Sequence, residues 1–236
     1  MTSVQFGSRP DLTRSGVGVV KVSTWGVGTP ERQRRTVEAV RAAWEAREWP
    51  HPGLLSYSVL VGDDGKTLLN YSQWADEAAH RDFARTGRDE RVAEIDAAVP
   101  GIERIGLRAF ELYRSGVKED DVREPGCVVT VDVEFDGADP ARQQDWVDRV
   151  FEALESDPAL APGGISAHFH ASTDGTRVLN YAEWETAQAH IDALAQPGGG
   201  VGSLTPQWHR VQNYAGLKGS TVRRWTPALS IGADLR

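Results

Sequence analysis

Two asparagine–tryptophan pairs stand out in the sequence, because each combines a hydrogen-bonding amide with a flat aromatic ring at the same spacing. Asn70 precedes Trp74 by four residues, and Asn180 precedes Trp184 by four residues. An asparagine amide can donate a hydrogen bond to an oxygen that gains negative charge during a reaction. An indole ring can stack on a flat polycyclic molecule and hold it in place. These four residues are therefore the first candidates for a functional site.

The two pairs belong to an internal repeat with an offset of 110 residues and no gap. From Asp64 to Asp82, nine of nineteen positions carry the same residue 110 positions later, which is far more than chance would give. Self-similarity on this scale indicates duplication of a structural unit. The sequence therefore predicts an N-terminal extension (1–16), a first repeat (17–115), a polar linker (116–126), a second repeat (127–225) and a C-terminal tail (226–236).

Each repeat shows the same predicted order of elements. A β-branched run is followed by Thr29-Pro30 in the first repeat and Asp139-Pro140 in the second, and each of these pairs is typical of a helix start. An Asp-Gly turn between two alternating segments predicts a hairpin, and a second helix and a last strand follow. The order β-α-β-β-α-β is that of an α+β, ferredoxin-like domain. Tyr71 and Tyr181 would face away from the neighbouring asparagines, and we expect them to pack under the helices.

Composition excludes several classes of protein. The chain has 236 residues, of which 40 % are apolar and 25 % charged, and its net charge is −8. This profile is typical of a soluble globular protein, and the negative charge disfavours nucleic acid and anionic membranes as partners. Cys127 is the only cysteine, and neither a transmembrane segment nor an export signal is apparent, so we expect a cytoplasmic protein.

A strand that ends in Asn-Tyr-x-x-Trp and leads into a helix, twice in one chain, resembles the antibiotic biosynthesis monooxygenase family. The resemblance covers both repeats and implies a dimeric α+β barrel, here formed by two tandem ferredoxin-like repeats that pair within one chain. It also implies O₂-dependent oxidation of aromatic polyketides, with no tightly bound cofactor and no metal. In the family the asparagine and tryptophan of the motif take part in catalysis, which points to Asn70, Trp74, Asn180 and Trp184. For the two tryptophans, pocket lining and simple core packing both stay open.

Further side chains complete the candidate site. His80 and His190 follow each tryptophan by six residues, and they are either proton shuttles or exposed helix residues; we include His190 among the catalytic candidates. His168 and His170 lie on one side of a strand and suit proton transfer or a polar wall better than a metal. Some members of the family use an arginine in or after the second helix. The candidate substrate-binding residues are Tyr57, His168, His170, Arg91, Arg210 and Trp208.

The predicted function is a cofactor-independent oxygenase that uses O₂ on a polycyclic aromatic polyketide. Two reactions stay open: oxidation of an anthrone or hydroquinone to a quinone, and oxidative ring opening of an angucycline-type quinone, in which any reduced flavin would be diffusible. A non-catalytic small-molecule-binding barrel and a haem-degrading monooxygenase are the alternatives. An internal pseudo-dimer and a homodimer also stay open. Because of His168, His170 and the glycine-rich segment 197–202, which we expect to be a mobile lid, we slightly favour the second repeat as the working one.

Overall fold

The computed structural model describes residues 2–117, 120–157, 161–196 and 201–233. Contacts divide the chain into unit 1, which contains Met1–Ala109 and Trp225–Arg236, and unit 2, which contains Phe110–Arg224. Among the described residues no helix is long and apolar enough to cross a membrane. The elements in chain order are β1 (Ser3–Phe6), β2 (Val19–Gly26), α1 (Pro30–Glu45), β3 (Leu54–Gly62), β4 (Thr67–Trp74), α2 (Glu77–Thr86), α3 (Asp89–Ala98), β5 (Glu103–Val117), β6 (Cys127–Phe135), α4 (Pro140–Ser156), β7 (Gly164–Ser172), β8 (Arg177–Trp184), α5 (Ala187–Leu194), α6 (Pro206–Gln212) and β9 (Leu217–Gly232).

Both repeats have the predicted ferredoxin-like topology. The strands pair in the order β3-β4-β2-β5 in unit 1 and β7-β8-β6-β9 in unit 2. Each repeat also has a short helix, α3 or α6, between its second predicted helix and its last strand. The predicted α+β order is therefore confirmed, with one additional helix in each copy.

The candidate asparagines lie on the central strand of each sheet. In unit 1 Asn70 of β4 is directly opposite Val59 of β3, and in unit 2 Asn180 of β8 is directly opposite Phe169 of β7. The residues two and four positions away from Asn70, such as Leu68 and Trp74, pack in a core cluster with residues of α1 and α2. Because strand residues alternate between faces, Asn70 also lies on the helix-covered face.

One expectation about these strands is wrong. Tyr71 and Tyr181 are fully buried, but they lie on the face opposite the asparagines and therefore not under the helices. The alternation of side chains correctly predicted that Asn and Tyr separate. It could not assign the faces, because both faces of each central strand carry apolar neighbours and the alternation alone does not show which face the helices cover.

A β-bulge at the same position in both repeats sets the orientation of the strand beside each asparagine. The register shifts between Leu54 and Ser56 in β3 and between Gly164 and Ser166 in β7. The extra residue lets Leu54 and Tyr57, three positions apart, both join the helix-covered core. The bulge thereby directs the Tyr57 ring toward Asn70.

The first helix of each repeat starts as predicted and is anchored to the hairpin by a buried glutamine. The side chains of Thr29 and Asp139 accept hydrogen bonds from the first turns of α1 and α4, and Pro follows each cap. Gln33 Nε2 donates to the carbonyl oxygens of Gly62 at 2.9 Å and Thr67 at 2.8 Å. Gln143 makes the corresponding contacts in unit 2.

The predicted hairpin turns are present, and each needs a glycine. Gly65 has φ +67° and Gly175 has φ +76°, in the left-handed region that residues with a Cβ rarely adopt. The Asp-Gly sequence therefore predicted both turns for a sound physical reason.

The segments that we set apart at the ends of the chain are parts of the sheet of unit 1. Ser3–Phe6 in the predicted extension forms β1 and pairs with β9. Residues 226–232 in the predicted tail continue β9 and pair with β3 as well. The partners lie more than 160 residues away in sequence, so local pattern gave no sign of the pairing. Val117, at the start of the predicted linker, is still in β5.

Candidate active site

The amide of Asn70 is held in one orientation by a buried tyrosine. The Tyr57 hydroxyl donates a hydrogen bond to Asn70 Oδ1 at 2.6 Å. Burial raises the pKa of Tyr57 well above its usual value, so the phenol is a neutral donor over the physiological range. Asn70 Nδ2 is buried and has no hydrogen-bond partner. Because the two ends of an amide diverge, this N–H donor points away from Tyr57.

A layer of aromatic rings lies on one side of Asn70. The Trp44 ring of α1 lies 4.9 Å from the Tyr57 ring and 6.1 Å from the Phe83 ring of α2. Phe83 in turn lies 5.3 Å from Trp74, whose Nε1 donates to Ser72 Oγ at 2.9 Å. Trp44, Tyr57, Phe83 and Trp74, which we call the ring cluster, are all nearly fully buried. The predicted site residue Trp74 is therefore packed in the ring cluster, and its Nε1 reaches Ser72, two residues from Asn70 on the same face.

Arg91 touches the ring cluster from outside. Its guanidinium carbon lies 4.8 Å from the centre of the Trp44 ring, and its Nη atoms donate to the carbonyl oxygens of Gly87 and Glu48, both at 2.9 Å. Burial lowers the pKa of Arg91. The contacts make Arg91 a cation that fixes the end of α1 and the start of α3, and it reaches Asn70 only through Trp44 and Tyr57.

The other side of Asn70 is polar and partly open. Ser23 of β2 pairs directly with Asn70, and Ser72 follows two residues along β4; both are partly exposed. Nearby on the same face, Lys21 Nζ forms an ion pair with Glu77 at 2.7 Å. The donor of Asn70 therefore lies between a packed aromatic side and an accessible polar side.

His80 contacts Trp74 and has a ring nitrogen without a hydrogen-bond partner. Its ring meets the edge of Trp74 at a centroid distance of 5.1 Å. His80 Nδ1 is buried without a hydrogen-bond partner and lies 4.0 Å from Glu77 Oε1. Burial, and after it the charge of Lys21, lowers the pKa of His80. The imidazole is thus neutral near pH 7 and able to accept a proton.

The second repeat has the same asparagine, but different neighbours surround it. Asn180 is only partly buried, and its Oδ1 has no hydrogen-bond partner. The position of Tyr57 is taken by Ala167. Leu154 and Ala193 stand where unit 1 has Trp44 and Phe83. The structure therefore gives Asn180 no orienting phenol, and the ring beside it is that of Phe169 on β7, which lies 5.5 Å from the Phe151 ring.

The predicted catalytic residue His190 also differs from its counterpart. It lies against Trp184, with ring centroids 4.8 Å apart, and its Nδ1 accepts a hydrogen bond from Arg224 Nε at 3.0 Å. Burial, and after it the charge of Arg224, lowers the pKa of His190 to about 4. The nitrogen that is free in His80 is occupied in His190.

The structure places the remaining predicted site residues elsewhere in unit 2. His168 and His170 are buried on the face of β7 opposite Ala167 and Phe169, where His168 Nδ1 lies 2.9 Å from Ser115 Oγ and His168 Nε2 lies 3.2 Å from Ser166 Oγ. Arg210 and Trp208 lie on α6, which packs against α4. Arg210 is exposed, and Trp208 Nε1 donates to Asp157 at 2.6 Å. His168, His170 and Arg210 are not brought together with Asn180, whereas Trp208 packs against the core cluster that contains Phe169, the residue opposite Asn180. A role in binding stays a prediction for all four.

Two further expectations concern a metal ion and the glycine-rich segment. Within the described ranges, no group of three or more His, Cys, Asp or Glu residues has an arrangement suited to a metal ion. Of the predicted glycine-rich lid, residues 197–200 lie outside the described residues.

Sequence reasoning missed two residues that contact these sites, Lys21 and Arg224, and also the glutamine that joins helix and hairpin in each repeat. The sequence did not indicate a role for Lys21, because a lysine within a β-branched strand is normally expected to face solvent. Arg224 lies 34 residues after His190, so the contact is not local. Gln33 and Gln143 did give a signal, since they recur at the repeat offset on the apolar face of a helix.

Comparison with known proteins agrees with this architecture. The family model described as "Antibiotic biosynthesis monooxygenase" matches residues 28–95 and 128–198. A 65-residue segment is 35 % identical to tetracenomycin-F1 monooxygenase from Streptomyces glaucescens; it covers 26 % of this chain and spans 58 % of that curated relative.

Among solved structures, an anthrone oxidase-like protein superposes with a TM-score of 0.71 at 15 % identity, covering 99 % of this chain and 98 % of that chain, which shows a common fold. A monooxygenase from the gene ActVA-Orf6 of Streptomyces coelicolor, in complex with nanaomycin D, is 33 % identical with a TM-score of 0.33, covering 48 % of this chain and 93 % of that chain. Because the two family-model matches together cover more than half of the sequence, the chain belongs to the antibiotic biosynthesis monooxygenase family.

Proposed function

We propose that this chain is an oxygenase that uses O₂ to oxidise an aromatic polyketide of the anthrone or hydroquinone type to a quinone, without a tightly bound cofactor. Membership of the family supports a monooxygenase, and the curated relative is by name a monooxygenase of tetracenomycin F1. The reacting site is the helix-covered face of unit 1 around Asn70.

The observation that carries this proposal is the fixed amide of Asn70. Its Oδ1 is occupied by the Tyr57 hydroxyl, and its buried Nδ2 has no partner. A buried donor without a partner carries a desolvation penalty, which a ligand oxygen would remove. Since the donor is oriented before the substrate arrives, it stabilises negative charge on that oxygen without reorganisation. The amide of Asn180 has no such orienting contact.

The surroundings of Asn70 suit a flat phenolic substrate. The substrate enters from the polar side at Ser23 and Ser72, which is partly exposed. Its rings rest against the edge of the ring cluster, and Arg91 holds Trp44 in place from the far side. In this arrangement Trp74 and Tyr57 are positioning residues for the substrate and for the amide.

His80 is the proposed proton acceptor. A neutral imidazole with a free Nδ1 can remove a proton from the acidic central carbon of an anthrone. The ion pair of Glu77 with Lys21 lies next to this nitrogen, so the protonated ring would find a carboxylate 4.0 Å away.

The chemistry needs no electrons beyond those of the substrate. For an anthrone, to which the following steps apply, loss of a proton from the CH₂ group gives an anion, whose oxygen accepts a hydrogen bond from Asn70 Nδ2. The anion transfers one electron to O₂, the resulting radical and superoxide join in a C–O bond, and the peroxide takes up a proton. Water then leaves as the O–O bond and the second C–H bond break, and a C=O group remains. One O₂ supplies one oxygen to the quinone and one to water.

The assignment of the reaction to unit 1 departs from the slight preference for the second repeat that followed from the sequence pattern. The sequence favoured the second repeat because of His168, His170 and the glycine-rich segment. The two histidines lie on the opposite face from Asn180, and His190 Nδ1 is bonded to Arg224. The contacts of the two asparagines therefore support unit 1.

The proposal predicts a large effect of Asn70→Ala on turnover. With 1,8-dihydroxyanthrone as the probe, oxygen uptake and quinone absorbance are measured in the presence of a chelator and without flavin, after subtraction of the spontaneous rate. The wild type should consume one O₂ per quinone formed. Loss of one preorganised donor should lower kcat by about 10²–10³-fold.

The matched control is Asn213→Ala, which removes an exposed asparagine at the end of α6 and should leave kcat unchanged. Asn180→Ala should lower kcat by much less than Asn70→Ala. If Asn70→Ala turns over within about twofold of the wild type, the proposed site is wrong. If the wild type consumes no oxygen above the spontaneous rate, the proposed reaction is wrong.

A further inference from the structure

A chain of hydrogen bonds joins a partly exposed serine to a buried carboxylate on the face of the unit-2 sheet that the helices do not cover. Ser115 of β5 pairs directly with His168 of β7, so the two side chains share a face, and Ser115 Oγ lies 2.9 Å from His168 Nδ1. His168 Nε2 lies 3.2 Å from Ser166 Oγ, and the Ser166 hydroxyl donates to Glu183 Oε2 at 2.6 Å. These four residues, which we call the serine relay, all belong to unit 2.

The directions of these hydrogen bonds make His168 Nδ1 an acceptor for the Ser115 hydroxyl. The Ser166 hydroxyl has one hydrogen, which it donates to the Glu183 carboxylate, so Ser166 Oγ acts as an acceptor toward His168. In the neutral imidazole the ring proton is therefore on Nε2, and Nδ1 accepts from Ser115. A nucleophile, a base and the groups that orient the base are thus in sequence, and this arrangement activates a serine for attack.

Burial differs along the serine relay in the way that a reactive serine requires. His168 and Glu183 are each 4 % exposed, and Ser166 is buried as well. Hydrogen bonds to a charged group are stronger where water is excluded, so the carboxylate stabilises the imidazolium that forms when Nδ1 takes up a proton. Ser115, at the other end of the relay, is partly exposed and can be reached from solvent.

Unit 1 has hydroxyl groups at the same places on its strands, but neither the base nor the acid. Ser56 and Ser58 stand where unit 2 has Ser166 and His168, and Gln73 stands at the position of Glu183. The Ser56 hydroxyl donates to Gln73 Oε1 at 2.6 Å. The hydrogen bond between these two strands is therefore common to both units, while the imidazole and the negative charge belong to unit 2.

The strand that pairs with this position carries a serine in both units. Ser230 of β9 pairs directly with Ser58 in unit 1, as Ser115 of β5 pairs with His168 in unit 2. The hydroxyl oxygens of Ser58 and Ser230 lie 3.1 Å apart, and neither group can act as a general base. Ser230 is also only 3 % exposed. Of these two equivalent positions, the one in unit 2 alone combines an accessible serine with an imidazole and a carboxylate.

We propose that Ser115 is an acyl-accepting nucleophile, with His168 as its general base, and that it takes the acyl group of a small activated ester. Ser115 Oγ attacks the carbonyl carbon and forms a C–O bond, while the hydroxyl proton passes to His168 Nδ1. The bond to the leaving alkoxide or phenoxide then breaks, and His168 returns the proton to that oxygen. The products are an acyl-serine and an alcohol or phenol, and no electrons are gained or lost. Ser166 and Glu183 are positioning residues, since they act through His168.

The test uses diisopropyl fluorophosphate, which traps activated serines by the same displacement: Ser115 Oγ bonds to phosphorus, fluoride leaves, and His168 takes the proton. The full-length protein is incubated with the reagent, and the modified residue is located by peptide mass spectrometry. The wild type should carry an adduct at Ser115, and Ser115→Ala should lose it. Ser220→Ala, which removes an exposed serine of β9, should be labelled at Ser115 as fast as the wild type.

Two further variants test the rest of the relay, and each installs the residue that unit 1 has at that position. His168→Ser should lower the rate of labelling by about 10²-fold or more, the usual contribution of a positioned general base. Glu183→Gln keeps an acceptor for Ser166 but removes the charge. It should lower the maximal rate of labelling by about tenfold, while the reagent concentration that gives half of this rate stays unchanged. Melting temperatures show that each variant is folded, and either variant suffices if the other does not fold.

The outcomes decide the proposal without reference to oxygen chemistry. If the wild type is labelled at Ser115 no faster than at Ser220, Ser115 is an ordinary serine and the proposal is overturned. Labelling of folded His168→Ser or Glu183→Gln at the wild-type rate would overturn the serine relay as the cause of the reactivity. Oxygen uptake by Ser115→Ala should equal that of the wild type, because the proposed oxidation takes place at Asn70 in unit 1.

Discussion

Asn70 and Asn180 occupy the same strand position in two copies of one fold but have different neighbours. An asparagine in a strand interior runs against β-propensity, and its presence in both repeats predicts a functional role, which stays a prediction. The sequence could not rank the two copies, because their difference lies in partners on a neighbouring strand and on helices. Tyr57 and Ala167 are both ordinary strand residues, and only the register shows that each is next to the asparagine.

The hydrogen bond of Tyr57 can be tested by removing a single oxygen. Tyr57→Phe keeps the ring that packs on Trp44 but frees Asn70 Oδ1, so the amide can rotate and lose its fixed donor. We expect kcat to fall by about tenfold or more, since a catalytic donor depends on preorganisation. The free energy of unfolding should fall by about 1–3 kcal/mol, because a buried acceptor is left unsatisfied.

A matched change is available at Tyr113, which is partly exposed and donates to Asp148 at 2.9 Å. Tyr113→Phe should alter neither kcat nor stability by a comparable amount. A Tyr57→Phe protein with the turnover of the wild type would show that the orientation of the Asn70 amide does not matter for the reaction.

Among the elements, those with strong local signals were predictable and those defined by distant partners were not. The capped helices α1 and α4 and the Asp-Gly hairpins follow from a few residues each. The strand β1 and the second half of β9 pair with segments far away in sequence, so nothing local indicated them. The short helix α3 was missed because its ten residues carry only two well-buried side chains, Arg91 and Ile95, which form too weak an apolar pattern.

The glutamine in the first helix of each repeat is a specific link between elements. Gln143 is 1 % exposed, and its Nε2 donates to the Ser172 hydroxyl at 3.0 Å, to the Ser172 carbonyl at 3.2 Å and to the Arg177 carbonyl. Through these bonds a side chain of α4 supplies a donor to the carbonyl oxygens of Ser172 and Arg177, at the base of the β7–β8 hairpin. Hairpin and helix are thereby joined by polar contacts as well as by the apolar core.

Gln143→Leu should therefore destabilise the protein although it adds apolar surface. The substitution leaves the carbonyl oxygens of Ser172 and Arg177 buried without this donor, which should cost about 1–3 kcal/mol. Urea unfolding at equilibrium measures the difference. Gln144→Leu, at the exposed neighbouring position of the same helix, should change stability by less than about 0.5 kcal/mol. Equal stability of the two variants would show that the glutamine link contributes nothing.

At the level of the whole molecule, the duplication was the most informative feature of the sequence. It predicted two ferredoxin-like copies and the family, and both are confirmed. What it could not predict is how far the copies have diverged inside. The repeat offset keeps Asn, Trp and His at matching positions, while the ring cluster depends on residues that differ between the copies.

The protein also buries uncharged histidines, and this makes its stability depend on pH. Burial lowers the pKa of His170 to about 4, and burial followed by the charge of Arg224 lowers that of His190 to about 4. In the unfolded chain a histidine has a pKa of about 6.5. Between these values the unfolded state binds more protons than the native state, so stability is fully present above about pH 6.5 and falls as the pH drops toward 4.

His170 is the better position for testing this dependence, because it is fully buried. From the pKa difference, its contribution at pH 5 should be about 2 kcal/mol smaller than at pH 7. Melting temperatures of the wild type and of His170→Gln are compared between pH 7.5 and 4.5, with His209→Gln on the exposed side of α6 as the control. We expect the melting temperature to fall less steeply with decreasing pH for His170→Gln only. Protonation of the carboxylates with lowered pKa values destabilises all three proteins to the same extent. Parallel curves for the three proteins would mean that His170 takes up its proton in the native state as readily as in the unfolded chain.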